Sequence, residues 1–272
     1  MVVVDGTASG EAAIDWAIGR SRTGPVSIEV TAVFDPMPSE SVMAGEAVRS
    51  AFAALLESGV ERIARAAPGS HPVAVLRTGH ARVELAAASR DADLVVIGSG
   101  GSDAGIGRTL PIRLASAAHS PVVVVPVAWG GARDGVVVGL ESTDLQPLVI
   151  DFAAREAARA GQPLTVVQAW NVPTLAAVAM FAHPGVWGTT QGLHAQALEH
   201  ALTRVRTAFP EVELHHRIRE GVASRILAEE AASASLLVVG RHDRSTVGDA
   251  LLGSTSHELL LAMTCAVAVV PE

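Results

Sequence analysis

Leu94-Val95-Val96-Ile97-Gly98 and Leu236-Leu237-Val238-Val239-Gly240 are one device used twice in a single chain. Each is an apolar run that stops at glycine. Behind the first come Ser99-Gly100-Gly101-Ser102-Asp103 and, further on, Pro121-Val122-Val123-Val124-Val125-Pro126. Behind the second come a polar run, then Gly253-Ser254-Thr255, then Ala266-Val267-Ala268-Val269-Val270-Pro271. A buried strand that ends in a glycine turn and opens a helix is a ready anion site. The first N–H groups of the helix have no carbonyl partner, and its dipole favours negative charge. The chain reads as a duplicated module that holds a phosphorylated ligand.

Working outward, each half shows the same order of elements. In the first, Met1–Val4, Ser27–Phe34, Val73–Arg77, Leu94–Ile97 and Val122–Val125 read as strands. Helical patterns lie between them, and Ser9 is the expected cap of the first. Ser39–Ala67 is a long helix closed by Pro68-Gly69, and a helix is expected near Arg108–Ala118. In the second half the strands are Val136–Gly139, Leu164–Trp170, His215–Arg219, Leu236–Val239 and Val267–Val270. Asp144 is the expected cap of a helix with Pro147 in its first turn. Apolar strands alternating with helices predict parallel sheets covered on both faces. The expected domains are 1–127 and 135–272, with 128–134 as linker around Gly130-Gly131.

Composition narrows the function classes. The chain has 272 residues, 18% charged and 49% apolar, which suits two domains with real cores. Net charge is −8 and no basic run is present, which argues against nucleic acid. The longest apolar stretch, Leu259 to Val270, is too short to span a bilayer. Met1-Val2-Val3-Val4 reads as a strand rather than a leader. The single cysteine, Cys265, fits a reducing cytoplasm and a buried packing role. There is no lysine, so P-loop and Schiff-base chemistry are excluded. His215 and His216 are adjacent in a strand and point to opposite faces, so they do not pair on a metal. His194, His200, Arg155, Glu156 and Arg159 read as solvated helix faces. The Val172 to Gly192 segment is long and carries Met180, Phe181 and Trp187; it reads as apolar groups packed back on their own domain, with a lid or a partner surface as the alternative.

With these residues in place, the chain resembles a tandem universal stress protein over nearly its whole length. The family's nucleotide motif is G-x-x-G-x9-G-[S/T] after the fourth strand. The resemblance implies two doubly wound, five-stranded parallel-sheet α/β domains of the Rossmann-like, adenine-nucleotide-hydrolase-like class. It relates them by a pseudo-two-fold, with the last strands pairing antiparallel. It also implies an adenine nucleotide such as ATP or AMP, Mg2+ where ATP is bound, and a cytoplasmic stress-response role exercised through a protein partner. A homodimer is compatible with it, a weak ATPase is the most enzyme it implies, and no catalytic residue is assigned.

Residue by residue, the two copies depart from the motif differently. In the first, Gly98 and Gly101 keep the G-x-x-G spacing, but the G-[S/T] pair falls on Pro111-Ile112. Proline has no N–H and isoleucine no hydroxyl to offer a phosphate. Asp5 matches the acid that ends strand one and approaches adenine, and Ala32 the small residue late in strand two. In the second, Gly240 is kept, Asp243 replaces the second glycine, and Gly253-Ser254 supply the pair, with Thr255 and Ser256 behind them. Glu141 is the strand-one acid and Ala169 the small residue. Arg241 and Arg244 are near enough in sequence to offset Asp243, and His242 reads as an ordinary loop residue. The second copy is the expected nucleotide site and the first a degenerate one. The alternative is an interaction scaffold that has lost nucleotide binding in one or both copies.

Overall fold

The computed structural model describes residues 1–24, 26–35, 42–100, 106–130, 133–140, 146–170, 198–241 and 252–271. The chain packs as two compact units, Met1–Gly131 with Arg241–Pro271, and Ala132–Gly240.

The first unit runs β1 (Val2–Val3), α1 (Ala8–Ser21), β2 (Glu29–Phe34), α2 (Val42–Ala66), β3 (Val73–Thr78), α3 (Ala81–Ala88), β4 (Val95–Ser99), α4 (Ile106–Ala117) and β5 (Val122–Pro126). The last helix, Ser254–Ala262, and the last strand, Ala266–Val270, join this unit. They are α8 and β10 in chain order. Strand order is β3-β2-β1-β4-β5, parallel throughout, with β10 beside β5. The β5–β10 pair is antiparallel, with Val267 opposite Val124 and Val269 opposite Val122. This is the expected pairing of the two last strands. It is why Arg241–Pro271 packs with the first unit and not with the repeat that its sequence belongs to.

The second unit runs β6 (Val136–Leu140), α5 (Pro147–Ala160), β7 (Leu164–Trp170), α6 (198–208), β8 (Leu214–Glu220), α7 (Ala223–Glu230) and β9 (Leu236–Gly240). Its strands are parallel in the order β8-β7-β6-β9. The strands β4, β5, β6, β9 and β10, apolar but for Ser99 at the end of β4, are buried almost throughout, as strands covered on both faces must be. A fully buried core residue such as Leu164 or Ile14 contributes roughly 2 kcal/mol by leaving water.

The edge strands are managed with charge. On β8, Arg217 pairs with Glu230, and Arg219 reaches Glu230 at 2.7 Å and Glu229 at 3.3 Å. Charged side chains on an exposed edge discourage pairing with another chain. Between β2 and β3, Glu29 accepts from Thr31 Oγ1 at 2.6 Å and from Arg77 at 3.0 Å. Burial pushes this carboxyl up, but the bonds from Thr31 and Arg77 and the Arg77 charge outweigh it. The carboxyl sits below its ordinary range.

Three sequence expectations need correction here. The cap of α1 is Thr7, whose hydroxyl accepts from Gly10 N–H, while Ser9 lies inside the first turn. The N-cap of α5 is Gln146, in the left-handed region at φ 36°, and the helix starts at Pro147; Asp144 lies outside the described residues. Glu156 is buried at 7% exposure, so it does not belong to a solvated face with Arg155. Two apolar neighbours in sequence, Ala153 and Ala157, bury the same side of α5 and carry it inward. Cys265 is buried as expected, and His200, His215 and His216 are exposed. The 172–192 segment and His194 lie outside the described residues.

Candidate functional site

The acid of the first copy is turned on its own loop. Asp5 Oδ1 accepts from Thr7 N–H at 3.0 Å and from Thr7 Oγ1 at 2.6 Å. Thr7 Oγ1 lies 2.6 Å from Ser9 Oγ in turn. These bonds fix the entry to α1 and carry its first turn onto the end of β4. There Gly98 is needed for contact: a Cβ on it would stand 1.8 Å from Ser9 O and 2.2 Å from Ser9 C. Both are backbone atoms and cannot swing away. Gly98 therefore has a packing reason to be glycine whatever it binds. Gly101 lies outside the described residues.

Thirteen residues beyond Gly98, the G-[S/T] position falls on Pro111-Ile112 inside α4, which starts at Ile106. Pro111 is buried there. No helix begins at this spacing in the first copy, so the pair has no exposed N-terminal N–H groups to present. The helix simply extends upstream through the motif.

The same spacing beyond Gly240 leads to Gly253, which is the N-cap of α8. Its φ of −57° and ψ of 150° bring the chain in extended, and as a glycine it offers no side chain of its own to cap the helix. The first-turn N–H groups of Ser254, Thr255 and Ser256 have no carbonyl one turn back within the helix. Ser254 is exposed, Thr255 half-buried and Ser256 buried. Gly253 N–H donates to Arg241 O at 3.1 Å, which closes the mouth of the loop between them. Arg241 is itself held at both ends. Its N–H donates to Val270 O at 2.9 Å, and its guanidinium Nη1 donates to Ala118 O at 2.7 Å, just past the end of α4. A cation at a helix C-terminus is favourable. This bond takes the side chain toward α4. His242, Asp243 and Arg244 lie outside the described residues, as does Glu141.

The two alanines expected near adenine are not equivalent. Val3 stands beside Thr31, which puts Asp5 level with Val33. Val138 stands beside Val166, which puts Glu141 level with Ala169. Ala169 therefore corresponds to Val33, and both are half-buried. Ala32, fully buried, corresponds to Gln168 on the other face of the strand. Gln168 and Gln146 are buried polar residues that carry no pattern in the sequence. Gln146 is 4% exposed, and its carboxamide lies where a Cβ on Gly240 would meet it at 2.9 Å. Among the described residues no group of His, Cys, Asp and Glu is arranged to hold a metal ion, and no helix is long and apolar enough to cross a membrane.

The model of the universal stress protein family matches residues 1–126 and again 133–271. The chain belongs to the universal stress protein family. This universal stress protein is 27% identical to a universal stress protein of Mycolicibacterium smegmatis, over 99% of this chain and 96% of the relative. It is 26% identical to one of Mycobacterium tuberculosis, over 96% of this chain and 90% of the relative. Among solved structures it is similar in fold to a universal stress protein from Archaeoglobus fulgidus, with a TM-score of 0.70 at 15% identity, covering 100% of this chain and 95% of the other. A universal stress protein from Pseudomonas aeruginosa gives a TM-score of 0.60 at 15% identity, over 99% and 91%. The tandem arrangement read from the two glycine-ended strands is thus that of the family at full length.

Proposed function

We propose that this universal stress protein binds an adenine nucleotide, ATP or AMP, through the second copy of its motif, and acts in the cytoplasm through a protein partner. The observation that carries this reading is the contrast at one spacing. Gly253-Ser254 open a helix, whereas Pro111-Ile112 lie within one. At the start of α8, backbone N–H groups and the Ser254 and Thr255 hydroxyls suit phosphate oxygens, and the helix dipole adds to them. Mg2+ would come with ATP, on its phosphates. Glu141 and Ala169 take the adenine end by resemblance, with Gly240 beside them in sequence terms. Asp5, Gly98 and Gly101, with Ala32 by resemblance although the register sets it on the other face from Asp5, form the degenerate counterpart. Isothermal calorimetry on the full chain tests this. The double substitution Gly253→Val with Ser254→Ala is expected to abolish ATP binding, and unchanged binding by that variant overturns the assignment.

An interaction scaffold without nucleotide is the second reading. Arg241 favours it, because its guanidinium is engaged with Ala118 O. This reading expects no heat on titration with ATP, and no nucleotide by mass spectrometry of small molecules released from the denatured protein.

A further inference from the structure

β3 bonds β2 along one side and no strand among the described residues along the other. Val73 N–H donates to Ile28 O and Gly79 N–H to Phe34 O, both at 2.9 Å, so the odd-numbered residues turn their backbone toward β2. Ala74, Leu76 and Thr78 turn theirs outward, each offering an N–H and a C=O to a further strand. Ala74 and Thr78 are exposed, and Val73 is 53% exposed.

The edge strand of the second unit shows how such a strand is closed by charge. Glu29 stands beside Val73, and its counterpart Thr165 beside His215, so β3 and β8 match position by position. His215, His216, Arg217, Arg219 and Glu220 stand where β3 has Val73, Ala74, Val75, Arg77 and Thr78. Glu229 and Glu230, which hold the arginines of β8, fall on Ala87 and Ala88 of α3. The one charge left on β3, Arg77, is turned to Glu29 of β2 at 3.0 Å.

The ends of this strand carry charge of one sign. From Arg62 to Val83 the chain has no aspartate or glutamate, although acids outnumber arginines 28 to 20 overall. Arg62 is taken by Glu11 and Asp15 of α1, and Arg65 lies 3.9 Å from Glu61. His71 before β3 and His80 and Arg82 past its end are exposed and make no ion pair among the described residues. The next acid, Glu84, is half-buried and lies against Gly79. Val83, 61% exposed, adds apolar surface just past that end.

We propose that the outer edge of β3 docks an extended segment of a partner protein, apolar at its centre and acidic at its ends, as an added strand. Backbone bonds supply the affinity, Val73 and Val75 the apolar contact, and His71, His80 and Arg82 the charge preference. A second copy of this chain fits less well. Antiparallel β3 strands would set His71 of one copy beside His80 and Arg82 of the other, with no acid between them. This rests on the reading that the chain acts through a protein partner and is independent of where a nucleotide binds.

A fluorescent synthetic peptide of alternating valine and threonine, with aspartates at both ends, is titrated with the full-length protein and followed by anisotropy. The same core with lysines at both ends is the control. The aspartate-ended peptide is expected to bind at least tenfold tighter. Leu76→Pro removes an outward N–H and no bond to β2, a change that an edge strand tolerates. It is expected to weaken that binding at least tenfold, with thermal melts checking the fold. N-methylation of the peptide backbone, which leaves the protein unaltered, is expected to do the same. His71→Glu with Arg82→Glu is expected to reverse the preference between the two peptides. Equal binding of both peptides, no binding of either up to about 1 mM, or binding that survives N-methylation overturns the docking edge. Sedimentation of the protein alone covers the other occupant: a dimer that Leu76→Pro converts to monomer overturns the partner segment in favour of a second copy. ATP calorimetry on the same samples reads the nucleotide assignment separately, and failure of one leaves the other standing.

Discussion

The turn after β4 and the turn after β9 start from the same glycine and are built differently. After β4, the glycine is closed by backbone: the first turn of α1 lies directly on Gly98. After β9, Gly240 is closed by a side chain, the Gln146 carboxamide. α1 begins three residues past Asp5, whereas α5 begins six past Glu141, and the later start leaves room that a glutamine fills. Downstream, the motif pair is swallowed by α4 in one copy and stands at the head of α8 in the other. A repeat can keep its spacing and still exchange rigid contacts for adjustable ones.

The largest effect expected from this contrast is on stability. Gly98→Ala must move the backbone of α1, and about 3 kcal/mol of destabilisation is expected. Gly240→Ala meets only the end of a flexible side chain, so about 1 kcal/mol is expected. Urea unfolding of the two variants measures both; equal costs would break the distinction between the turns. Next in size is an affinity. Asp243 brings a carboxylate to the place of the second motif glycine, which the first copy keeps as Gly101. A charge about 4 Å from a phosphate costs on the order of 4 kcal/mol at an effective dielectric near 20, before relaxation. Asp243→Gly is expected to tighten ATP binding at least tenfold, roughly 1.4 kcal/mol, and to tighten adenosine less. An equal gain for both ligands would show that backbone freedom, not charge, is responsible.

The smallest effect concerns pH. Glu29 is held below its ordinary range by Thr31 and Arg77, while the matching position of the second unit is the uncharged Thr165. A carboxyl whose folded value is depressed contributes stability above its unfolded value and loses it as pH falls through the folded one. Arg77→Met is therefore expected to be less stable than the native chain at neutral pH. The gap should close below the ordinary carboxylate range. A gap that stays constant down to low pH would remove Glu29 from the account.

The fold was legible because its signals are long. Four-residue apolar runs such as Val122–Val125 and Leu236–Val239 admit little besides buried parallel strands, and the glycine that ends two such runs marks the crossover. The helix starts were less legible, since several polar residues compete for each cap. Thr7 prevails over Ser9 because Asp5 braces it, and that contact depends on the fold of the loop. The site was half legible. Gly253-Ser254 announces itself by spacing. The offset between Ala32 and Ala169 shows only in the register of β1 with β2 and of β6 with β7, which one sequence does not display. Arg241 is near enough to Asp243 in sequence to offset its charge, and the bond of its guanidinium to the distant carbonyl of Ala118 is something proximity in sequence does not show.

The antiparallel seating of β10 on β5 has a bearing on how such a gene can be cut. The repeat boundary near residue 130 looks like a natural place to separate two portable halves. Yet the first half, taken alone, would present Val122–Pro126 as an edge strand with the N–H and C=O groups of its free side bare and its side chains wholly apolar. That is an adhesive surface, ready to pair with any similar strand. The tail of the second repeat acts as its stopper. Duplication here has made the halves mutually dependent, so the unit of inheritance and the unit of folding no longer share an end.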